Sequence, residues 1–298
     1  MISEANSASH RQAPRWIGAE HADAPGSAFA AAGALAWLDP IARAPGTPAL
    51  LWRRRLALQA ATTLNRLDGR SEEAGQIRDH WILRRPQDDP GPAGRLLAAW
   101  RALADPAATE PAFWQSDLAP LFGLPPEPLA QAIHGVPVSA QLPIAWAARL
   151  AGAVLGLGPA WRGAALWLAD AALARALGWP RAVPLLAAQL RPADLRRSAD
   201  PDAWQILCAN RWARAALQAA ALHADLARRA ERLAQTAPRL RARDAATTVA
   251  ALLSEDALAP RAGLHASDRA ARRLFERLTA LGLVRELSGR AQFRIYGL

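Results

Sequence analysis

The chain has 298 residues, of which 52% are hydrophobic, and its formal net charge is +10 at neutral pH. This apolar share is sufficient for a packed core, so a wholly disordered protein is excluded. All 36 basic residues are arginine. A phosphate-binding loop of the kind that needs a lysine after its glycines is therefore excluded as well.

The arginines are unevenly distributed along the chain. Residues 1–204 contain 20 Arg and 18 acidic residues, a surplus of 2, whereas residues 205–298 contain 16 Arg and 8 acidic residues, a surplus of 8. Such an asymmetry is typical of a protein with an anionic partner, above all nucleic acid. A solvated arginine-rich surface explains the same counts equally well.

Cysteine and histidine usage excludes several kinds of site. The single cysteine, Cys208, excludes internal disulfides and cysteine-rich zinc sites, and its apolar helical context predicts a core position. None of the six histidines lies three or four residues from another, and the HExxH, CxxC and GxSxG motifs are absent. The sequence therefore predicts no catalytic residue, metal or cofactor, and whether the protein is an enzyme stays open.

The N-terminal residues and the apolar runs indicate a compartment. Residues 1–16 include Glu4 and lack an apolar segment, which is not the pattern of a secretory signal. The longest charge-free apolar run, 150–161, has about 12 residues, whereas about 20 are needed to span a bilayer. We expect a cytoplasmic protein without a membrane partner.

Most of the chain has helical periodicity. Polar, aperiodic residues 1–26 predict a mobile N-terminal tail, and residues 27–238 predict an all-α, multi-helix bundle. Residues 142–156 and 159–177 predict an apolar helical hairpin at its centre, and Asp200-Pro201 predicts a long helix that reaches about Gln235. The chain also contains twelve tryptophans, mostly in helical stretches. Core packing explains them better than an aromatic ligand pocket, because large rings fill the gaps between alanine-rich helices.

Residues 244–298 predict a small winged-helix-like unit that ends in a β-hairpin. Its first helix is predicted over residues 244–253. Ser267 is a predicted N-cap for a further helix that ends at Gly282, and one apolar stripe has helical spacing: Ala271, Leu274, Phe275, Leu278 and Leu281. Two strands are predicted over 283–287 and 292–296, joined by a turn at 288–290.

The arginines of this unit are the candidate nucleic-acid contacts. Arg269, Arg272 and Arg273 lie opposite the apolar stripe, and Arg290 lies at the predicted hairpin tip. In a winged helix this face of the helix enters the groove of DNA. A plain solvated face is the competing interpretation, because charged residues lie opposite the apolar stripe on any surface helix.

A second candidate is a polar site around the 84–95 loop, which follows Asp79. Acids, a histidine and arginines lie close together in sequence there, as acid–base or metal chemistry requires; they are His80, Arg84, Arg85, Asp88, Asp89 and Arg95. The structural alternative is favoured, because an aspartate before a proline commonly caps a turn or the next helix. We therefore expect Asp89 to be structural.

Two stretches carry a resemblance to a known family. WILRRPQDDPGPAGRLLAAWR at 81–101, together with the terminal SDRAARRLFERL and GRAQFRIYGL, is similar to a family of uncharacterised alphaproteobacterial proteins, the domain-of-unknown-function family 1403. The similarity runs from about Ala28 to Leu298 and implies no activity, since the family has none assigned. The last 55 residues also resemble winged-helix units of bacterial regulators and Fic-type proteins. In those units a second helix supports the recognition helix, whereas here residues 255–266 contain a proline and a glycine, which weakens the prediction of DNA binding.

We therefore expect a non-enzymatic nucleic-acid-binding or regulatory accessory protein that acts through its C-terminal arginines. DNA is the first expected partner. One alternative is an enzyme or a ligand-binding helical domain centred on the 84–95 loop. Another is a scaffold whose C-terminal unit docks onto a second protein, because a winged helix also serves as a docking module.

Overall fold

The computed structural model describes residues 13–85, 87–136, 142–240, 244–260, 267–290 and 292–298. Its helices are α1 Ala24–Arg43, α2 Ala49–Leu67, α3 Ala74–Leu83, α4 Gly91–Ala102, α5 Pro111–Ser116, α6 Leu118–Leu121, α7 Pro126–His134, α8 Pro143–Leu155, α9 Arg162–Ala176, α10 Pro201–Thr236, α11 Ala245–Leu252 and α12 Asp268–Ala280. Two short strands, β1 Arg285–Glu286 and β2 Tyr296–Gly297, form an antiparallel pair. The predicted all-α fold with a C-terminal hairpin is confirmed. No helix within the described ranges is long and apolar enough to cross a membrane.

The centre of the bundle is the predicted apolar hairpin, α8 and α9. Every residue of α9 from Gly163 to Ala174 is buried, so this helix is surrounded by others on all sides. Gly158 in the connection has a φ of 119°, a conformation that favours glycine. The nearly charge-free sequence of the two helices suits this position, since charged side chains are rarely fully buried.

The longest helix, α10, begins as predicted at Asp200-Pro201. The Asp200 carboxylate accepts hydrogen bonds from the backbone N–H groups of Asp202 and Ala203 at 3.0 and 3.2 Å, which satisfies donors that the first turn leaves unpaired. The helix has 36 residues and packs along α1 and α8. It therefore connects the outer and central parts of the bundle.

Tryptophans pack the core, as their helical positions predicted. Nine of the twelve are buried: Trp52, Trp100, Trp114, Trp146, Trp161, Trp167, Trp179, Trp204 and Trp212. Several also link helices through the indole N–H. Trp52, Trp167 and Trp204 donate to the carbonyl oxygens of Ala219, Ala99 and Ala148 at 2.8 to 3.0 Å. These bonds satisfy the indole N–H of these three tryptophans.

The predicted N-terminal tail needs a correction in the part that the structure describes. Ile17 is only 3% exposed, and the backbone N–H of His21 donates to the Asn210 side chain at 3.0 Å. Glu20 pairs with Arg211 at 2.8 Å, and α1 already begins at Ala24. The mobile-tail prediction was wrong from Ile17 onward, because one buried apolar side chain and long-range polar contacts fix this segment on α10. Residues 1–12 lie outside the described residues.

Two helical glycines give a matched test of core packing. An alanine methyl at Gly163 would lie 2.6 Å from a ring carbon of Phe122, whereas at Gly152 the nearest atom, in Trp204, is 3.4 Å away. We expect Gly163→Ala to lower the free energy of unfolding by about 1–3 kcal/mol through overpacking. Gly152→Ala should raise it by up to about 1 kcal/mol, since alanine favours a helix. Urea unfolding measures both, and equal effects would contradict the packing described around Gly163.

The C-terminal unit, residues 244–298, contains α11, α12 and the hairpin. Leu258 and Tyr296 exchange backbone hydrogen bonds at 2.8 Å, so a single bridge adds a third segment beside β2. The predicted strands 283–287 and 292–296 were too long, since β1 covers only Arg285–Glu286 and β2 only Tyr296–Gly297. In the second of them Phe293 has a φ of 55°, which interrupts the extended chain. Residues 255–260 are not helical, and 261–266 lie outside the described residues. The winged-helix resemblance therefore stays a prediction, as does the division of the chain into a bundle at 27–238 and a C-terminal unit at 244–298.

Candidate functional site

Helix α12 lies on the surface with one apolar face buried. The Ser267 hydroxyl accepts from the Ala270 N–H at 3.2 Å and caps the helix as predicted. The predicted stripe is buried at Ala271, Leu274, Phe275 and Leu278. Leu281 was wrongly included, since it is 51% exposed at the end of the helix, next to Gly282, whose φ is 65°. The stripe is therefore one turn shorter than its sequence spacing indicated.

The outward face of α12 is dominated by arginine. Arg269, Arg272, Arg273 and Arg277 are exposed, and Glu276 lies among them. Within the described part of the chain, none of these four arginines forms an ion pair. Their charge is thus directed to solvent or to a partner.

A cleft of about 790 Å³ opens beside this face. Arginines from three separate segments line it: Arg85 after α3, Arg272 on α12 and Arg294 before β2. Asp268 and Glu276 contribute carboxylates to the same cleft. The structure therefore brings together one residue from each of the two sites that the sequence suggested, Arg85 from the 84–95 loop and Arg272 from the helix.

An exposed aromatic ring is also part of this cleft. Phe293 is 71% exposed and has a positive φ, an unusual backbone conformation for a bulky residue. Its neighbour Arg294 donates from Nε to the Arg290 carbonyl oxygen at 3.2 Å. Tyr296, buried and stacked on Phe275 at 4.8 Å, also lines the cleft.

The acids of the 84–95 loop bind to groups within the loop itself. Asp88 accepts from the Arg85 backbone N–H at 2.9 Å. Asp89 accepts from the Gly91 N–H at 2.9 Å and pairs with Arg95 at 2.8 Å, and these two contacts lower the pKa of its carboxyl group. This is the geometry that we expected of a structural aspartate at the start of α4.

The other members of the proposed polar site do not converge with these acids. His80 is exposed on α3, and the Arg84 guanidinium stacks over the Trp81 ring at 4.2 Å. No group of three or more possible metal-ligating side chains occurs among the residues that the structure describes. The contacts of these residues therefore stabilise the loop. Of the six residues of the predicted polar site, only Arg85 lines the cleft.

The predicted position of Arg290 at the hairpin tip suggested a contact with phosphate, but the structure pairs this residue with an acid of the protein body. Its guanidinium pairs at 3.1 Å with Asp79, whose side chain is 5% exposed and whose pKa is raised by burial. The contact joins the C-terminal unit to α3. Arg290 therefore holds the hairpin on the body of the protein. Its role as a phosphate contact stays a prediction, and the ion pair with Asp79 does not support it.

A cluster of ion pairs, which we call the docking cluster, fixes the other side of the C-terminal unit. Arg101 of α4 contacts Glu255 at 2.6 Å and Asp256 at 3.2 Å. Arg54 of α2 also pairs with Glu255, and Arg55 donates to the Asp256 carbonyl oxygen at 3.1 Å. Asp256 is only 2% exposed, and burial raises the pKa of its carboxyl group. The docking cluster leaves the outward face of α12 uncovered.

A second buried carboxylate lies inside the body. Asp170 of α9 accepts from the indole N–H of Trp212 at 2.8 Å and from the backbone N–H groups of Leu185 and Leu186 at 2.7 and 3.2 Å. Burial raises its pKa to about 7 despite these donors. Cys208 is buried as predicted, and burial raises the pKa of its thiol. Both groups are enclosed, so they belong to the core.

Sequence reasoning missed Phe293, Arg294 and the docking cluster. The alternation across 292–296 suggested an ordinary strand. Phenylalanine rarely adopts a positive φ, so nothing in the sequence indicated this backbone conformation at Phe293. The charges of Arg101 and Asp256 are 155 residues apart. Nothing in local spacing indicates such a pair.

The chain is similar to a known protein family. The family model described as "Protein of unknown function (DUF1403)" matches residues 3–298, which is nearly the whole chain. The match extends further toward the N-terminus than the resemblance seen from Ala28. No curated protein matches the chain.

Proposed function

The chain belongs to a family of proteins of unknown function, DUF1403, and from its geometry we propose that it binds nucleic acid through the outward face of α12. The observation that carries the proposal is the meeting of Arg85, Arg272 and Arg294 at one cleft beside that face. Arginine is suited to phosphate, because its planar guanidinium donates several hydrogen bonds and stays charged.

The attachment of the C-terminal unit supports the same proposal. Ion pairs with the body involve Glu255, Asp256 and Arg290, none of which lies on α12. The outward face of the helix is therefore available to a partner while the unit stays docked. Most phosphate contacts position a protein on nucleic acid without reading its sequence, so affinity should depend strongly on salt.

A double substitution tests the proposal. Arg272→Ala with Arg273→Ala removes two charges from the outward face and should weaken binding to DNA of any sequence. The plot of log K against log salt should become flatter by about two units, because each phosphate that is no longer neutralised changes the slope by roughly 0.9. Fluorescence anisotropy with a labelled 20-base-pair duplex at several salt concentrations measures both quantities.

The matched control is Arg196→Ala with Arg197→Ala. These are also adjacent, exposed arginines, but they lie before α10 and away from the cleft lining. The control should keep the parent slope and affinity to within about twofold, since only net charge changes. Equal losses in both double variants would mean that net charge alone drives binding. No binding of the parent protein at low salt, either to the duplex or to a single strand, would contradict the proposal.

A further inference from the structure

Phe293 is exposed in a way that packing does not explain. The ring is 71% exposed at the cleft, so it gains little from burial, and its backbone lies in the left-handed region at a φ of 55°. Such strained, exposed positions of bulky residues are concentrated at functional sites. An aromatic face that lies open to solvent is a suitable platform for stacking against a planar ligand.

Arginine side chains line the same cleft as this ring. Arg294 follows it directly and is anchored through Nε on the Arg290 carbonyl oxygen at 3.2 Å. Arg272 and Arg85 line the same cleft from α12 and from the end of α3. A planar platform beside several guanidinium groups is the combination that binds a base and its neighbouring phosphates.

The size and the remaining polar groups of the cleft fit the same ligand. Its volume of about 790 Å³ falls within the roughly 300–1,000 Å³ of small-molecule sites, which is enough for one nucleotide. Glu276 and Gln292 add a carboxylate and an amide to the lining. Carboxylate and amide side chains are able to hydrogen-bond to the edge of a base that is not paired with another.

We propose that the cleft takes an unpaired base of a single-stranded nucleic acid, stacked on Phe293, with the adjacent phosphates on Arg272, Arg85 and Arg294. This inference rests on the proposed function and adds that the preferred strand is single. In a duplex the faces of the bases are covered by their neighbours, so the Phe293 ring has no base to stack on.

The test compares three labelled probes by fluorescence anisotropy: dT20, rU20 and a 20-base-pair hairpin duplex. The intact protein should bind one or both single strands at least about fivefold more tightly than the duplex, as expected from the stacking of one base on an aromatic ring. The ratio between dT20 and rU20 identifies DNA or RNA as the source of the strand. Phe293→Ala should weaken single-strand binding by about five- to tenfold or more and leave duplex binding unchanged.

Two further variants separate stacking from a structural role. Phe293→Trp keeps an aromatic face and should retain single-strand binding, whereas Phe29→Ala removes another exposed ring, on α1, and should change none of the three affinities. Duplex binding that equals or exceeds single-strand binding overturns the inference and leaves the proposed function in place. Equal weakening of all probes by Phe293→Ala, without retention by Phe293→Trp, also overturns it. Absence of binding to every probe overturns both proposals.

Discussion

Replacing Asp170 with alanine is expected to lower the free energy of unfolding by about 3–5 kcal/mol. The carboxylate is buried and accepts three N–H groups, from the Trp212 indole and from the backbone of Leu185 and Leu186. Alanine would leave all three donors without a partner in the core, and each unsatisfied buried donor costs about 1–3 kcal/mol. Removing the cost of burying the carboxyl group offsets part of this loss.

The matched control is Asp200→Ala. Asp200 also accepts from two backbone N–H groups, but it lies at the exposed start of α10. Water replaces its carboxylate, so the loss should be about 1 kcal/mol. Chemical denaturation followed by circular dichroism measures both variants. If Asp170→Ala cost no more than Asp200→Ala, the buried hydrogen bonds would not stabilise the fold as described.

The pH dependence of the free energy of unfolding tests the burial of Asp170 independently. Burial raises the folded-state pKa of Asp170 from 3.8 to about 7, so the folded protein keeps a proton that the unfolded chain has already released. This contribution to stability is fully present below about pH 4 and is lost as the pH rises through 7. The difference in stability between the parent and Asp170→Asn, which does not titrate, should therefore decrease by up to about 1.4 kcal/mol per pH unit across that interval.

Sequence patterns predicted the elements that depend on neighbouring residues, such as apolar runs and helix caps. The hairpin of α8 and α9 followed from a nearly charge-free sequence, and α10 followed from the cap at Asp200. The same patterns gave the outward face of α12, because helical spacing separates buried from exposed side chains. Asp170 was visible as a rare acid in an apolar helix, but its partners at 185, 186 and 212 were not.

Sequence patterns did not predict ion pairs between distant residues or unusual backbone conformations. Arg290 and Asp79 were each recognisable as charged residues, yet only the folded chain shows that they pair with each other. The cleft likewise forms from residues near 85, 272 and 294. Its position depends on how the C-terminal unit docks, which the spacing of residues within either segment does not encode.

Arg101→Ala is expected to loosen the C-terminal unit and to lower the free energy of unfolding by about 2–4 kcal/mol. Arg101 is 13% exposed in its side chain and contacts both Glu255 and the 2%-exposed Asp256. Removing one partner of a buried ion pair leaves the other charge without compensation, which is strongly destabilising. Amide hydrogen exchange should show the largest decrease in protection in residues 244–298, since Arg101 anchors them on α4.

The control is Arg175→Ala, which breaks an ion pair with Glu110 in which the two side chains are 41% and 60% exposed. Such surface pairs contribute about 0–1 kcal/mol. If Arg101→Ala fell in that range, the docking cluster would not hold the unit. Single-strand binding should also weaken in Arg101→Ala, because Arg85 belongs to the body and Arg272 to the unit that the cluster fixes.

A double-mutant cycle separates the pair from the rest of the contact. Asp256→Ala removes the buried carboxylate, so the double variant with Arg101→Ala leaves neither of these two charges alone. Its loss should be smaller than the sum of the two single losses by about 1–3 kcal/mol, as expected for residues in one network. Additive losses would show that Arg101 acts through Glu255 or through the Trp81 ring, which lies 5.4 Å from its guanidinium carbon. A double-variant loss smaller than that sum would instead show that the pair of Arg101 and Asp256 docks the C-terminal unit. The same pair would then also determine the shape of the cleft.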